Sequence, residues 1–266
     1  MRASRPTYDG HLRLLLVPSF TELEWGIRPQ LEEWAETATF DTPGVGDQPV
    51  PSDIEVDPAK TFESLSRWRG AAVEHALEEI DRLGWTQFVV VTDGHGAPTA
   101  VRLARMRRDS VLGLAIGHAS LSHSTVGERA PMNAGAWAAL GQLARQGNDA
   151  FVRYGIAQMT QGGVSEKVAE QMLERFGEME VVAAMVEALG REPEPIGDDL
   201  AALHLPLLLA KHEGCLGRTD EGFEDIVAAF PDADTVICPE TCTSSPAFAD
   251  ALQRFADRRV VGPYDP

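Results

Sequence analysis

A strand-like run followed by a glycine-rich turn carries the first candidate for chemistry. Residues 88–98 read FVVVTDGHGAP, in which four apolar residues lead into a tight turn, and the helix-like segment AVRLARM follows. A strand–turn–helix of this kind holds one residue at the apex of a sharp turn, where enzymes place a nucleophile. Here the apex is Gly94, which has no side chain. The turn therefore predicts a site whose usual nucleophile is missing.

His95 is the ionisable side chain at the centre of this turn. An imidazole titrates near neutral pH, so His95 is a candidate to donate to a ligand or to act as a general acid or base. Packing of its ring against neighbouring helices is an equally good interpretation. Glu240 is the second candidate, because a carboxylate near the turn would orient His95. His118, which follows the next apolar run, is predicted to contact a ligand.

The cysteines offer a second kind of chemistry. Cys215, Cys238 and Cys242 all lie in the last quarter of the chain, and their odd number without CxxC spacing indicates neither a disulfide framework nor a zinc knuckle. Cys215 and Cys242 could supply a thiolate nucleophile or a redox pair. The alternative, which we favour because no histidine stands beside them in the sequence, is that they are buried thiols that fill space. We predict no metal site and no cofactor.

Apolar runs and helical patterns alternate along most of the chain, and they predict the elements that position these residues. The predicted strands are 12–17, 37–40, 88–91, 111–117, 205–211 and 235–238. The predicted helices between and after them are 23–36, 61–83, 98–106, 219–230 and 244–258. Such alternation is typical of a doubly wound, mainly parallel sheet, here of about six strands. Ligands of these sheets bind at the carboxyl ends of the strands, where the candidate residues fall.

One segment departs from this alternation. Residues 122–195 contain no strand pattern and four helical segments, 133–146, 149–159, 165–176 and 178–189. We predict a helical cap inserted after the fourth strand, and a core made of residues 1–121 and 196–266. Trp137 and several methionines and phenylalanines give the cap an apolar inventory suited to an adaptable apolar ligand. Trp137 is therefore a predicted ligand-binding residue.

Taken in order, these segments resemble an α/β-hydrolase with a cap domain. VPSF follows the first strand, and FDTPGVGDQP, TDGHGA, the helical segment, PLLLAKHEG and a closing helix that begins SPAF come after it, over residues 12–258. The resemblance implies an α/β-hydrolase fold with a pocket between sheet and cap. It also implies that the backbone N–H groups of Phe20 and His95 form an oxyanion hole.

The resemblance also implies that the catalytic triad is absent. The family's turn has small residues around the nucleophile, a pattern that Thr92 and Gly96 match around Gly94. The family's acid falls on Cys215, and its histidine falls near Thr243. No histidine of the chain follows position 212, and a triad needs all three partners. Asp93 stands one residue before the apex, and we expect its side chain to point away from the nucleophile position.

The amino-acid composition limits the classes of binding partner that the chain is expected to have. The chain has 266 residues and a formal charge of −18, with 41 acidic residues against 23 basic ones. This excess argues against nucleic acid and anionic membranes as partners, because polyanions repel each other. The N-terminal residues lack the apolar stretch of a signal peptide, which favours a cytoplasmic location. A small-molecule ligand is the expected partner, and a homo-oligomer is compatible with the sequence.

Two functions fit these observations. The first is an enzyme of non-standard mechanism that acts on a small, largely apolar carbonyl compound and uses His95, with Cys215 as a further candidate. The second is a catalytically inactive protein that keeps the pocket and binds a ligand as a sensor or carrier. An enzyme needs a reactive side chain that faces a cavity, whereas a binding protein needs only the cavity.

Overall fold

Six strands form the centre of the molecule. A computed structural model describes residues 11–18, 25–46, 48–49, 61–118, 141–143, 145–146, 197–213 and 220–261. The strands are β1 (Arg13–Val17), β2 (Glu36–Thr39), β3 (Phe88–Asp93), β4 (Val111–Gly117), β5 (Leu207–His212) and β6 (Asp234–Cys238). The helices are α1 (Arg28–Leu31), α2 (Thr61–Leu83), α3 (Ala97–Met106), α4 (Gly197–Leu203), α5 (Asp220–Ala229) and α6 (Pro246–Phe255).

The strands form one parallel sheet with the order β2-β1-β3-β4-β5-β6. Central strands such as β3 are buried along their whole length, and the apolar run Phe88–Val91 of β3 is typical of such a strand. Each parallel pair needs a crossover, which the intervening helices provide. The predicted doubly wound sheet of six parallel strands is confirmed.

Strand register brings the chemical residues to one edge of the sheet. Asp93, the last residue of β3, pairs with Gly117, the last residue of β4. His212 and Cys238, which end β5 and β6, also pair with each other. Ile116 of β4 pairs with Leu209 of β5, which places Gly117 level with Ala210, so His212 and Cys238 lie two residues further along. The carboxyl ends of the four neighbouring strands still lie at one edge of the sheet.

One face of the sheet packs on α1 and α6. The buried residues of this face include Leu14, Leu16, Val89, Val91, Leu31, Phe248, Leu252 and Phe255. Leu14 and Leu16 alternate along β1, so the residue between them, Leu15, faces the other way and is equally buried. A sheet buried on both faces is a rigid base for a site at its carboxyl edge.

The predicted helix over residues 23–36 was too long. Only Arg28–Leu31 is helical, with Pro29 in its first turn, and β2 already begins at Glu36. Proline lacks an N–H and fixes φ, so it is suited to the start of a helix and not to its interior. Trp25 lies before the helix, separated from it by a turn, and its side chain is buried in the core. The helix α4 was not predicted.

The chain divides into two compact units. One comprises residues 1–40, 76–121 and 196–266, and the other comprises 41–75 and 122–195. Of the predicted cap, only 141–143 and 145–146 lie within the described residues, and 141–143 are helical. The cap over 122–195 therefore stays a prediction. Among the described residues, no helix is both long and apolar enough to cross a membrane.

Gly70, within α2, and Gly84, directly after α2, give a test of backbone conformation alone. Among the described residues, nothing lies within 4 Å of a Cβ placed on Gly70, inside the helix, or on Gly84, which follows the helix with φ +67°. Gly70→Ala is expected to raise the free energy of unfolding by about 0.5–1 kcal/mol, since alanine loses less entropy in a helix. Gly84→Ala is expected to lower it by about 1–2 kcal/mol, because φ is left-handed there. Urea unfolding followed by circular dichroism measures both; equal shifts would contradict the assigned backbone.

Candidate active site

The turn after β3 has the predicted strand–turn–helix geometry. A single 3₁₀ turn, Gly94–Gly96, connects β3 directly to α3, and Gly94 has φ +46°. A Cβ on Gly96 would meet the Thr92 hydroxyl and lie 2.9 Å from the carbonyl oxygen of Pro18. The hydroxyl of Thr92 in turn donates to the carbonyl oxygen of Val17 at 3.2 Å. Glycine at position 96 therefore lets the turn pack tightly on the end of β1.

A buried carboxylate and an imidazole meet next to this turn. Nδ1 of His118 lies 3.3 Å from Oδ1 of Asp93, whose side chain is only 2% exposed, and the His118 side chain is 14% exposed. His118 directly follows β4 and has φ +47°. A non-glycine residue in the left-handed region is strained, and such strain is concentrated at functional sites.

A second imidazole extends this pair along the edge of the sheet. Nδ1 of His212, the last residue of β5, lies 3.4 Å from Nδ1 of His118. The two rings meet edge to face with centroids 4.0 Å apart. Three adjacent strands thus contribute a carboxylate and two imidazoles in a row, and each partner restricts the orientation of the next.

Cys242 completes what we call the strand-end cluster, which consists of Asp93, His118, His212 and Cys242. Cys242 is fully buried, and Asp93, His118 and Cys242 each offer one ligand atom within 4.8 Å of the other two. A Cβ on Gly117 would lie 2.8 Å from Cβ of Cys242 and 3.2 Å from Cγ of Asp93. The missing side chain at Gly117 therefore lets the thiol and the carboxylate converge.

The loop that carries Cys242 is fixed to the body of the sheet unit. The backbone N–H of Ile27 donates to the carbonyl oxygen of Thr243 at 3.0 Å. The backbone N–H of Glu213 donates to the carbonyl oxygen of Cys238 at 2.8 Å. Sγ of Cys242 donates to Sγ of Cys238 at 4.0 Å. The pKa of the Cys242 thiol is raised by this hydrogen bond, by burial and by the negative charge of Asp93. In this environment the thiol is a poor nucleophile.

Comparison with known proteins identifies the architecture. No family model matches the chain, and no curated protein sequence matches it. Solved structures do match over nearly the whole chain. A hydrolase of Oleispira antarctica, olei00960, shares 14% identity over 95% of this chain and 93% of its own, with a TM-score of 0.71. The chain has an α/β-hydrolase fold. This confirms the resemblance that the sequence motifs indicated.

Two further structures support the α/β-hydrolase fold. The enol-lactonase of Burkholderia xenovorans LB400 shares 16% identity over 96% of this chain and 94% of its own, with a TM-score of 0.66. The N-formylmaleamic acid deformylase Nfo of Pseudomonas putida S16 shares 22% identity over 93% of both chains, with a TM-score of 0.62. At these identities the similarity concerns the fold.

The structure shows where some of the predicted site residues lie. Gly94 and His95 lie on the turn and are both half-buried, whereas Glu240 is exposed. His118 and Cys242 lie together in the strand-end cluster. Phe20, Trp137 and Cys215 lie outside the described residues, so their predicted roles stay predictions.

Sequence reasoning missed two members of the cluster. Asp93 stands one residue before the apex, which argues against a role as the nucleophile, and His212 directly follows the predicted strand 205–211, where the sequence assigns it no role. Both end a parallel strand of the α/β-hydrolase sheet, as their register shows. The order of the strands, had it been applied to every polar residue at a strand end, would have placed them beside His118.

Proposed function

We propose that the protein hydrolyses a small, largely apolar carbonyl compound and that water attacks the carbonyl carbon directly. The observation that carries this proposal is the contact between the buried Asp93 carboxylate and the His118 imidazole beside the turn at Gly94. In this fold the turn presents the nucleophile to the substrate. A turn without a side chain, next to groups able to activate water, favours a hydrolase that forms no acyl-enzyme.

The geometry around Gly94 supports an attacking water. Among the described residues, and apart from its chain neighbours, a Cβ placed on Gly94 would meet only Cβ of His118, at 4.0 Å. A nucleophilic side chain at position 94 would therefore begin near the backbone end of the His118 side chain. A water bound in its place would lie beside His118.

Asp93 and His118 would have different tasks. The almost fully buried carboxylate of Asp93 would hold the His118 ring in place through their 3.3 Å contact. His118 is the more exposed of the two and faces the turn. The bond formed joins the water oxygen to the carbonyl carbon, and the bond broken joins that carbon to the leaving oxygen or nitrogen. A proton of the water passes to the leaving group, which gives a carboxylic acid and an alcohol or amine.

The start of α3 would stabilise the developing negative charge. The helix begins at Ala97 immediately after the turn, and backbone N–H groups at a helix N-terminus favour an anionic oxygen. The N–H groups of Phe20 and His95, which the resemblance assigns to the oxyanion hole, are part of this proposal. Their contribution depends on backbone position and does not need a side-chain nucleophile.

The class of substrate follows from the fold and its neighbours. Two of the similar structures are named as a lactonase and a deformylase, and both names denote hydrolysis at a carbonyl carbon. We extend that class to this chain, with an ester, lactone or amide as substrate. The apolar inventory of the predicted cap, Trp137 included, favours an apolar substituent on the carbonyl group.

Steady-state and rapid-mixing kinetics test the proposal. The purified chain is offered chromogenic esters of short and medium acyl length, together with aliphatic lactones. We expect turnover without an initial burst of alcohol, and an unmodified mass for the protein quenched during turnover, because no acyl group is transferred to a side chain. Glu224→Gln, which changes an exposed residue of α5, is prepared in parallel as the control variant and should keep wild-type kinetics.

Two results would contradict the proposed function. A burst of alcohol with a matching acyl adduct would show a covalent nucleophile, and peptide mapping would then be directed first at Cys215. An absence of turnover on every ester and lactone, with saturable binding of the same compounds, would instead show the inactive binding protein that the missing triad also permits.

A further inference from the structure

We infer that Asp93, His118 and Cys242 bind one divalent cation of the zinc class. The inference rests on the proposed function for its catalytic meaning, since the cation would activate the attacking water. Cation binding itself is a separate property, which is measured without a substrate. The three residues come from the ends of β3 and β4 and from the loop after β6.

The spacing of the ligand atoms matches a metal site. One ligand atom from each residue lies within 4.8 Å of the other two, and Asp93 Oδ1 lies 3.3 Å from His118 Nδ1. Two ligands bonded to a tetrahedral zinc ion at about 2.0–2.1 Å are separated by about 3.4 Å. The separation of Asp93 Oδ1 and His118 Nδ1 is close to this value, so both atoms can bind one ion with little movement.

The donor types also fit. Zinc binds thiolate, imidazole and carboxylate together, whereas magnesium and calcium bind oxygen. Cys242 and Asp93 are almost completely buried, so a cation bound between them would be shielded from bulk water.

Neighbouring residues hold the three ligands in place. Gly117 admits Cys242 and Asp93 on one side, since any Cβ there would lie 2.8 Å from Cβ of Cys242. The His212 ring packs edge to face against the His118 ring, with centroids 4.0 Å apart, and restricts its orientation. The arrangement is therefore formed by the fold before a cation enters.

Three protein ligands leave one coordination position open. Zinc sites with three protein ligands and a water are catalytic, because the ion lowers the pKa of that water to about 7 and provides hydroxide. The open position would take the water that the proposed function places beside Gly94. The hydroxide oxygen would bond to the carbonyl carbon, and the leaving group would depart with the proton.

Metal content and cobalt spectroscopy test the site directly. The full chain is purified without an affinity tag or chelator, analysed by mass spectrometry for bound metal, stripped, and titrated with Zn²⁺ against a chromogenic chelator. We expect one equivalent of bound Zn²⁺. With Co²⁺ we expect visible bands of a tetrahedral ion and a thiolate-to-cobalt charge-transfer band.

Matched variants assign the ligands. Cys238 and Cys242 are both fully buried and lie four residues apart, so Cys238→Ser is the control for Cys242→Ser. We expect Cys242→Ser to abolish the charge-transfer band and to weaken Zn²⁺ binding at least ~10-fold, the lower limit known even for outer-shell partners. Cys238→Ser should retain both properties. Asp93→Asn should also weaken Zn²⁺ binding at least ~10-fold. If Cys242→Ser does not fold, Zn²⁺ binding by Asp93→Asn tests the metal site in its place.

The possible results separate this inference from the proposed function. Failure of the wild-type chain to bind Zn²⁺ or Co²⁺, or equal spectra for Cys238→Ser and Cys242→Ser, would overturn the metal site. If turnover persisted in that case, Asp93 and His118 would act as a metal-free acid–base pair and the proposed function would stand. Stoichiometric zinc without turnover on any ester or lactone would leave the metal site established and reject the hydrolase.

Discussion

Replacing His118 by asparagine is expected to lower kcat/KM for the best ester or lactone by about 10²–10⁴-fold, the range that a positioned acid–base group contributes. Asparagine is chosen because His118 has φ +47°. Asparagine tolerates the left-handed region better than most residues, so the substitution removes the imidazole without adding backbone strain. The variant should fold normally, and its loss should appear in catalysis, not in the melting temperature.

A matched control exists within the same chain. His204, in the segment between α4 and β5, is the other non-glycine residue with positive φ among the described residues, at +53°, and it is exposed. His204→Asn makes the same chemical change in the same backbone conformation, away from the strand-end cluster. It should leave kcat/KM within about twofold of the wild type, since exposed substitutions away from a site have small effects. Equal activity of His118→Asn and His204→Asn would contradict a role for His118.

The sheet could be predicted from the sequence because its strands are buried on both faces. Val111–Gly117 was predicted with the observed bounds, and the other strands differ by one or two residues at their ends. A strand covered by helices on both sides must be apolar along its length, so its signal does not depend on its partners. The helix around α1 was predicted too long because the apolar spacing of Trp25 and Leu31 mimics a helical face.

The site could be predicted only in part, and the reason is the distance along the chain. Asp93 and His118 are separated by 24 residues, and Cys242 follows after more than a hundred others. No local spacing pattern connects such residues, unlike the paired ligands of a zinc knuckle. They meet because β3, β4, β5 and β6 are adjacent and parallel, so that their carboxyl ends lie at one edge of the sheet. The glycine that lets them meet, Gly117, carries no chemical signal of its own.

A methyl group at position 117 is expected to damage both stability and chemistry. Gly117→Ala places Cβ 2.8 Å from Cβ of Cys242 and 3.2 Å from Cγ of Asp93, so both side chains must shift. Overpacking of this kind costs about 1–3 kcal/mol in the free energy of unfolding. A displacement of about 1 Å at a reacting group can cost about 10²-fold in rate. We expect losses of this size in urea unfolding and in kcat/KM.

Gly113→Ala separates the two effects. Gly113 lies on the same strand, four residues from Gly117, and the three atoms nearest to its Cβ position belong to Phe255 and Pro206, outside the strand-end cluster. That Cβ would lie 3.0 Å from Cζ of Phe255 and 3.5 Å from the carbonyl oxygen of Pro206. The variant should therefore lose about 1–3 kcal/mol of stability through overpacking and retain kcat/KM at temperatures where it is folded. Comparable stability losses with a rate loss only in Gly117→Ala would show that convergence of Asp93 and Cys242 is required. Similar losses of kcat/KM in both variants would contradict this interpretation. They would show that destabilisation of β4 alone is sufficient to reduce activity.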